Sequence, residues 1–438
     1  KPFSAWVISS AACWPRVRAR RCGNGNPSSF GPMTKIVEMP RLIRRMMSKC
    51  NGSKVKPWPR KRSASTCRSS DGETVHSSES EGSATSPSSS RGPSRTASLD
   101  DFALALSQGT TQEAIREEQL EAAMEDLAIG AKPWDEGTFG FVRTLQEAPR
   151  NCGSVQEREV AGGGRQRVAV KVMRRSWMQR GPRAFDRAHR DDAERPWVDV
   201  GLLQELNARG YPYACEMHGV FHDAEHMYVV TSLATRGDLF TWCSRQPPPS
   251  QDREDLLHPM VVQMVDAVML LHEFGIVHRD LSLENFLVTD AAGGKPAVRL
   301  ADYAMASLSR CCADGQRAGK AAYRPPEAHT GDVYDGFLGD AFSLGVVLFS
   351  LALHVYPWES TKPRADPLFA HGSKYGVKEL LAVRGMLDSQ DMSPNAAPSA
   401  APLSSAYAEL LDGLLQADAN ERLTLGESCY KQERPSVW

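Results

Sequence analysis

Apolar residues follow two different rhythms along this chain, and the change near residue 233 limits what it can fold into. Before that point they come in short runs rich in β-branched and aromatic side chains: Phe139 to Val142, Arg167 to Val172, Met227 to Thr231. After it they recur at helical spacing, in Met260 to Leu271, Phe342 to Leu353 and Ala406 to Leu415. The order predicts an α+β protein with a small sheet-rich lobe followed by a larger helical lobe. With 438 residues, 41% of them hydrophobic, the chain can bury a sizeable core, which excludes a wholly disordered or fibrous protein.

The charge is unevenly spread. Overall, 52 Lys and Arg face 53 Asp and Glu, a balance that favours neither a nucleic-acid binder nor a membrane-surface protein. Residues 1–98, however, carry 18 basic residues and 5 acidic ones, so the remainder is strongly acidic. From Ser63 to Ser98 the chain is Ser-, Gly- and Pro-rich with almost no large apolar residue, the composition of a flexible linker. Ser98, three residues after Arg95, suits phosphorylation by a basophilic enzyme. From Thr111 to Ile129 an amphipathic helix is expected. The expected organisation is a basic tail with a short helix at its end over 1–125, the sheet-rich lobe over 126–233 and the helical lobe over 234–432.

Ten cysteines without a CxxC pair indicate reduced thiols and an intracellular, cytoplasmic protein. The Arg-rich, acid-poor first 70 residues would also suit an organelle transit peptide. No run approaches the ~18 consecutive apolar residues of a membrane helix, so no span is expected.

The chemistry concentrates in His278-Arg279-Asp280-Leu281-Ser282-Leu283-Glu284-Asn285, between an apolar helix and an apolar strand. A carboxylate that orients a hydroxyl, followed five residues later by an amide able to bind a metal, is what phosphoryl transfer requires. Seventeen residues beyond Asn285, Asp302 closes a second apolar run, and a carboxylate and an amide completed by phosphate oxygens suit the hard ion Mg²⁺. Lys171 ends the strand Val168-Ala169-Val170-Lys171, and Gly137 and Gly140 bracket a turn before Val142. Glycines at a hairpin tip let backbone N–H groups cover phosphates, while a strand lysine supplies a point charge.

On these motifs, residues 130–430 resemble a divergent eukaryotic protein kinase domain of the Ser/Thr type, with loops comparable to those of protist kinases. The resemblance implies a bilobal fold using ATP and Mg²⁺ on a protein substrate. Lys171 would contact the α and β phosphates, Asp280 would be the catalytic base, and Asn285 and Asp302 would hold Mg²⁺. The adenine would lie among Val142, Ala169 and Leu287, with Thr231 as gatekeeper, Leu233 in the hinge and Asp238 at the ribose. Glu327, Asp340 and Arg422 match the platform that protein kinases, rather than small-molecule kinases, build for peptides. Regulation by another kinase or by autophosphorylation is expected at Ser307 and Ser309, near Arg279, Arg310 and Arg317.

Several positions depart from that family. Asp135 stands at the first glycine of the loop, placing a negative charge near the expected phosphates. Apolar spacing favours Asp199 as the partner of Lys171, with Glu194 and Glu205 as alternatives. Tyr303 and Ala304 follow the metal aspartate, Tyr303 completing an internal stack with His278, Leu203 and Met217. Ser282 takes the place of the catalytic-loop lysine and Lys320 that of a threonine, a swap that could return the lost cation from the opposite wall. An active kinase is the first expectation; a pseudokinase scaffold is the alternative.

Overall fold

The computed structural model describes residues 114–148, 153–190, 192–313, 318–383, 403–430 and 434–437. The basic tail, the linker with Ser98, and Arg317 lie outside the described residues. The first lobe comprises α1 (Glu117–Ile129), β1 (Lys132–Pro133), β2 (Phe139–Ala148), β3 (Gly153–Val160), β4 (Arg167–Arg174), the short α2 (Arg175–Met178) and α3 (Pro182–Ala188), α4 (Pro196–Ala208), β5 (Met217–His222) and β6 (His226–Ser232). Its sheet runs β1-β5-β6-β4-β3-β2; every pairing is antiparallel except β1 with β5.

Alternation along β4 sets the two faces of this sheet. Val168, Val170 and Val172 are buried on the outer side, whereas Ala169 and Lys171 face the second lobe. The outer side is roofed by the stretch that leads from β1, at one edge, to β2, at the other. Trp134 stacks on Tyr228 at 4.0 Å and on Phe139 at 4.8 Å, and the Arg158 guanidinium covers its ring at 5.1 Å.

Helix α1 packs on α4, and the boundary expected at 126 falls inside it. Leu120, Ala123 and Met124 are buried there, the two large side chains contributing about 1.5–3 kcal/mol each. The close approach depends on Gly201 of α4, where a Cβ would lie 2.6 Å from Met124 Cγ. Pro196, at the first turn of α4, has the fixed φ suited to a helix start.

The second lobe contains β7 (Gly237–Asp238), α5 (Leu239–Cys243), α6 (Gln251–Glu273), β8 (Phe286–Asp290), β9 (Pro296–Leu300), β10 (Cys311–Ala313), β11 (Val333–Asp335), α7 (Gly336–Leu353), α8 (Pro367–Tyr375), α9 (Val377–Val383) and α10 (Ser405–Leu414). Ser250 Oγ caps α6 by accepting from Arg253 N. By length and composition α7 could cross a membrane, but all 18 of its residues are buried in the protein, where the helix packs against α6 and α10. Its hydropathy reflects burial on every side.

Candidate active site

Lys171 reaches from β4 to the acid on α4 and to the start of the segment after β9. Its Nζ lies 2.7 Å from Asp199 Oδ2 and 3.2 Å from Asp302 Oδ1. Burial opposes the charge on Lys171, but the two carboxylates outweigh it and hold the lysine protonated well above its ordinary range. Lys171 in turn holds Asp302 below the usual carboxylate value, against burial. The second oxygen of Asp199 accepts the Tyr303 backbone N–H at 2.8 Å, so one carboxylate ties α4 to both strand and segment. Glu205 pairs instead with Arg209 one turn later.

Asp302 adopts φ +66°, a left-handed conformation uncommon outside glycine, and Arg279 does the same at +67°. Such strain persists where surrounding contacts over-determine it. At Arg279 the contacts come from Asp340, which accepts the N–H groups of His278 and Arg279 at 2.7 and 2.9 Å. Asp340 is itself held by His272, whose other ring nitrogen meets Glu427 at 2.5 Å. Burial would lower the His272 pKa, but Asp340 and Glu427 push it up to about 9. Neither His272 nor Glu427 stands out in the sequence, because their meeting spans 155 residues.

On this supported loop, Asn285 Nδ2 donates to the Asp280 carbonyl at 2.7 Å and to Asp280 Oδ2 at 3.1 Å. Burial raises the Asp280 pKa, with Lys320 and His278 opposing. Tyr303 is buried, its ring 5.6 Å from His278 and its hydroxyl donating to Leu300 O at 2.9 Å, which supplies the partner that replacing phenylalanine demands. Leu203 and Met217 belong to the same core.

The half-buried Ala169 and Thr231 are cross-strand partners, as are Asp238 and Leu287 below them; Leu233 is also half-buried. The Asp238 carboxylate caps α5, accepting from Thr241 N at 2.7 Å and Thr241 Oγ1 at 3.0 Å. Gly137, Gly140 and Val142, however, are not brought to this cleft. Gly140 pairs with Glu159, while the β3 partner of Lys171 is Val155, four residues away, roughly 13 Å along the strand. The glycine turn belongs to the crossing over the outer face, fixed there by the burial of Trp134 and Phe139. Asp135 therefore bears no charge toward the phosphates; it caps its own turn, accepting from Gly137 N at 2.9 Å and Thr138 Oγ1 at 2.6 Å.

Val142 lies at a bulge on the edge strand, and β3 separates it from β4. The residue opposite Ala169 is Glu157, 3% exposed, with Arg143 at 2.7 Å and Arg167 on its carboxylate; the Arg167 hydrogen bond is the main reason its pKa is low. The end of the sheet nearest Lys171 is where β2 ends and β3 begins, the place a hairpin needs to cover phosphates. The connection, 149–152, lies outside the described residues. Two turn signals between Val142 and Lys171, Pro149 to Gly153 and Gly162 to Gly164, are the sequence's one indication of an additional strand.

Lys320 Nζ lies 2.7 Å from Ser282 Oγ and 2.9 Å from Glu284 Oε2. Further out, the fully buried Arg422 forks onto both oxygens of Glu327, donates to Leu338 O, and lies over Phe342 at 4.9 Å. Arg310, expected near a phosphoserine, is committed to Asp335 by three hydrogen bonds of 2.7–3.1 Å. Arg279 Nε is buried without a hydrogen-bond partner among the described residues.

The donor set fits Mg²⁺ in type. Asp302 is a carboxylate with 42% of its side chain exposed, and Asn285 spends its NH₂ on Asp280, leaving its amide oxygen as the donor to a hard cation. Among the described residues no group of three or more His, Cys, Asp or Glu could hold a metal ion.

Comparison with known proteins agrees with this architecture. Residues 157–432 match the protein kinase domain family, a match that begins after the glycine turn. NUAK family SNF1-like kinase 2 of Rattus norvegicus is 33% identical over 162 residues, covering 37% of this chain and 24% of the relative. CBL-interacting protein kinase 4 of Oryza sativa subsp. japonica is 30% identical over 226 residues, 50% and 45% of the two chains. The probable serine/threonine-protein kinase KCC4 of Saccharomyces cerevisiae is 28% identical over 242 residues, 54% and 21%. The chain thus spans less than half the length of these curated relatives. With a family match over more than half its length, on a fold that joins a β-sheet lobe carrying Lys171 to a helical lobe carrying Asp280 and Asp302, the chain belongs to the protein kinase family.

Proposed function

We propose that this protein transfers the γ-phosphate of ATP to a Ser or Thr hydroxyl of a protein substrate. The observation that carries this reading is the joining of Lys171 to both Asp199 and Asp302, with Tyr303 N–H on the same Asp199. That arrangement holds a fixed cation in a partly dry cleft for the phosphates. Asp280 would accept the hydroxyl proton, oriented by Asn285. Mg²⁺, held by Asn285 and Asp302 when bound, would neutralise phosphate charge. The Ser/Thr relatives and the platform of Glu327 and Arg422 support a protein substrate.

A second reading, a nucleotide-binding scaffold, draws on the glycine turn lying away from Lys171. Labelled-ATP transfer to a basic protein substrate separates the two. Wild type should label the substrate, and Asp280→Asn and Asp302→Asn should each lose at least 10²-fold. Equal labelling by all three would mean contamination and favour the scaffold. Lys171→Met should reduce the rise in melting temperature that Mg-ATP produces; an unchanged rise would place the phosphates elsewhere.

A further inference from the structure

A serine at position 282 leaves no cation two residues after Asp280 on the catalytic loop, yet phosphoryl transfer spreads negative charge that a nearby donor should stabilise. Ser282 is fully buried and cannot supply that charge. Lys171 is occupied on the other side of the cleft by Asp199 and Asp302. The Lys320 ammonium sits against Ser282, two residues from Asp280 on the same loop. Its ion pair with Glu284 is half-exposed on both sides, a contact worth little by itself and easily exchanged for a phosphate.

The backbone carrying Lys320 is fixed more firmly than a surface lysine requires. Gly319 has φ +76°, and a Cβ there would lie 2.8 Å from the Arg279 carbonyl oxygen, so only glycine lets this segment lie against the residue before Asp280. Arg324 clamps the same stretch, donating to Ala318 O at 2.9 Å and Gly319 O at 2.8 Å. The Lys320 carbonyl accepts from Tyr323 N and Arg324 N.

Building on the kinase reading, we propose that Lys320 replaces the missing loop lysine, contacting the transferring γ-phosphate while Ser282 Oγ positions its ammonium. In the step it serves, the substrate hydroxyl oxygen forms a bond to the γ-phosphorus and its proton passes to Asp280. The bond from that phosphorus to the β–γ bridging oxygen breaks, and the electron pair leaves on ADP. The cation is therefore delivered by the segment after residue 317, not by the loop that holds the base.

The test is a double-mutant cycle on kcat with Lys320→Thr, Ser282→Lys and the pair together, with melting temperature and its Mg-ATP shift followed in parallel. Lys320→Thr should lower kcat by about 10²–10³-fold and leave the Mg-ATP shift in place. Lys320→Met, which keeps most of the stem, should fall equally and guards against loss by misfolding. The double mutant should recover to within about tenfold of wild type. An unchanged kcat in Lys320→Thr, or a double mutant no better than Lys320→Thr, overturns the assignment while leaving the kinase reading intact. If wild type itself shows no Asp280-dependent transfer, the kinase reading fails and this assignment with it.

Discussion

Gly201 is where the packing of α1 against α4 can be tested with one methyl group. In Gly201→Ala the added Cβ would lie 2.6 Å from Met124 Cγ and 2.9 Å from Leu120 Cδ1. Leu120 Cδ1 is the end of a flexible side chain and can turn away, but Met124 Cγ is held near its own backbone, so α1 must shift. Overpacking of this kind costs about 1–3 kcal/mol. Alanine in place of glycine inside a helix returns about 1 kcal/mol, so the net expectation is about 0–2 kcal/mol of destabilisation. Met124→Ala alone removes a buried side chain and costs about 2–5 kcal/mol, but it also removes the clashing atom. In that background Gly201→Ala should become stabilising, a coupling of about 2 kcal/mol. Urea midpoints at constant m-value measure all four corners of the cycle. A Gly201→Ala substitution that stabilises wild type and Met124→Ala equally would refute the contact. Because α4 carries Asp199, the single variant should also lower kcat.

Two further outcomes follow from buried charges in the second lobe. His272 is raised from an unfolded value near 6.5 to about 9, so its ion contacts stabilise fully below pH 6.5 and lose that contribution as pH rises through 9, in total about 3 kcal/mol. Urea midpoints should fall between pH 6.5 and 9.5, and His272→Gln should flatten the decline; an equal slope in the variant would assign it to other groups. Glu327→Ala leaves the Arg422 guanidinium buried with only carbonyl partners and should cost about 3–5 kcal/mol in chemical denaturation. A loss below about 1 kcal/mol would mean that the pair is not buried as described.

Much of the site is legible in the sequence because the motifs are local. Asp280 and Asn285 are five residues apart on one loop, and strand alternation alone puts Ala169 and Lys171 on one face. Asp199 can be favoured over Glu205 because the apolar spacing of Leu202, Leu203 and Leu206 fixes which side of α4 is buried, and a buried acid on that side must find a cation. The fold order is legible for the same reason: strand and helix periods are properties of consecutive residues.

What the sequence could not settle were matters of placement between distant elements. Gly137 and Gly140 have the spacing of a phosphate loop, but a turn motif does not say which end of a sheet it occupies. That was decided by β1 pairing at the far edge and by Trp134 and Phe139 burying themselves on the outer face. That the helix ending at Ile129 lies so close to α4 depends on Gly201, 72 residues on. Lys320 and Ser282 read as a swap of residue types; their 2.7 Å contact depends on Gly319 fitting under the Arg279 carbonyl. His272 and Glu427 carry no local signature, since they meet Asp340 only when three separate elements are packed together. Sequence determined which groups exist and which face each presents; long-range burial decided which faces meet, because removing apolar surface from water acts between elements whatever their separation in the chain.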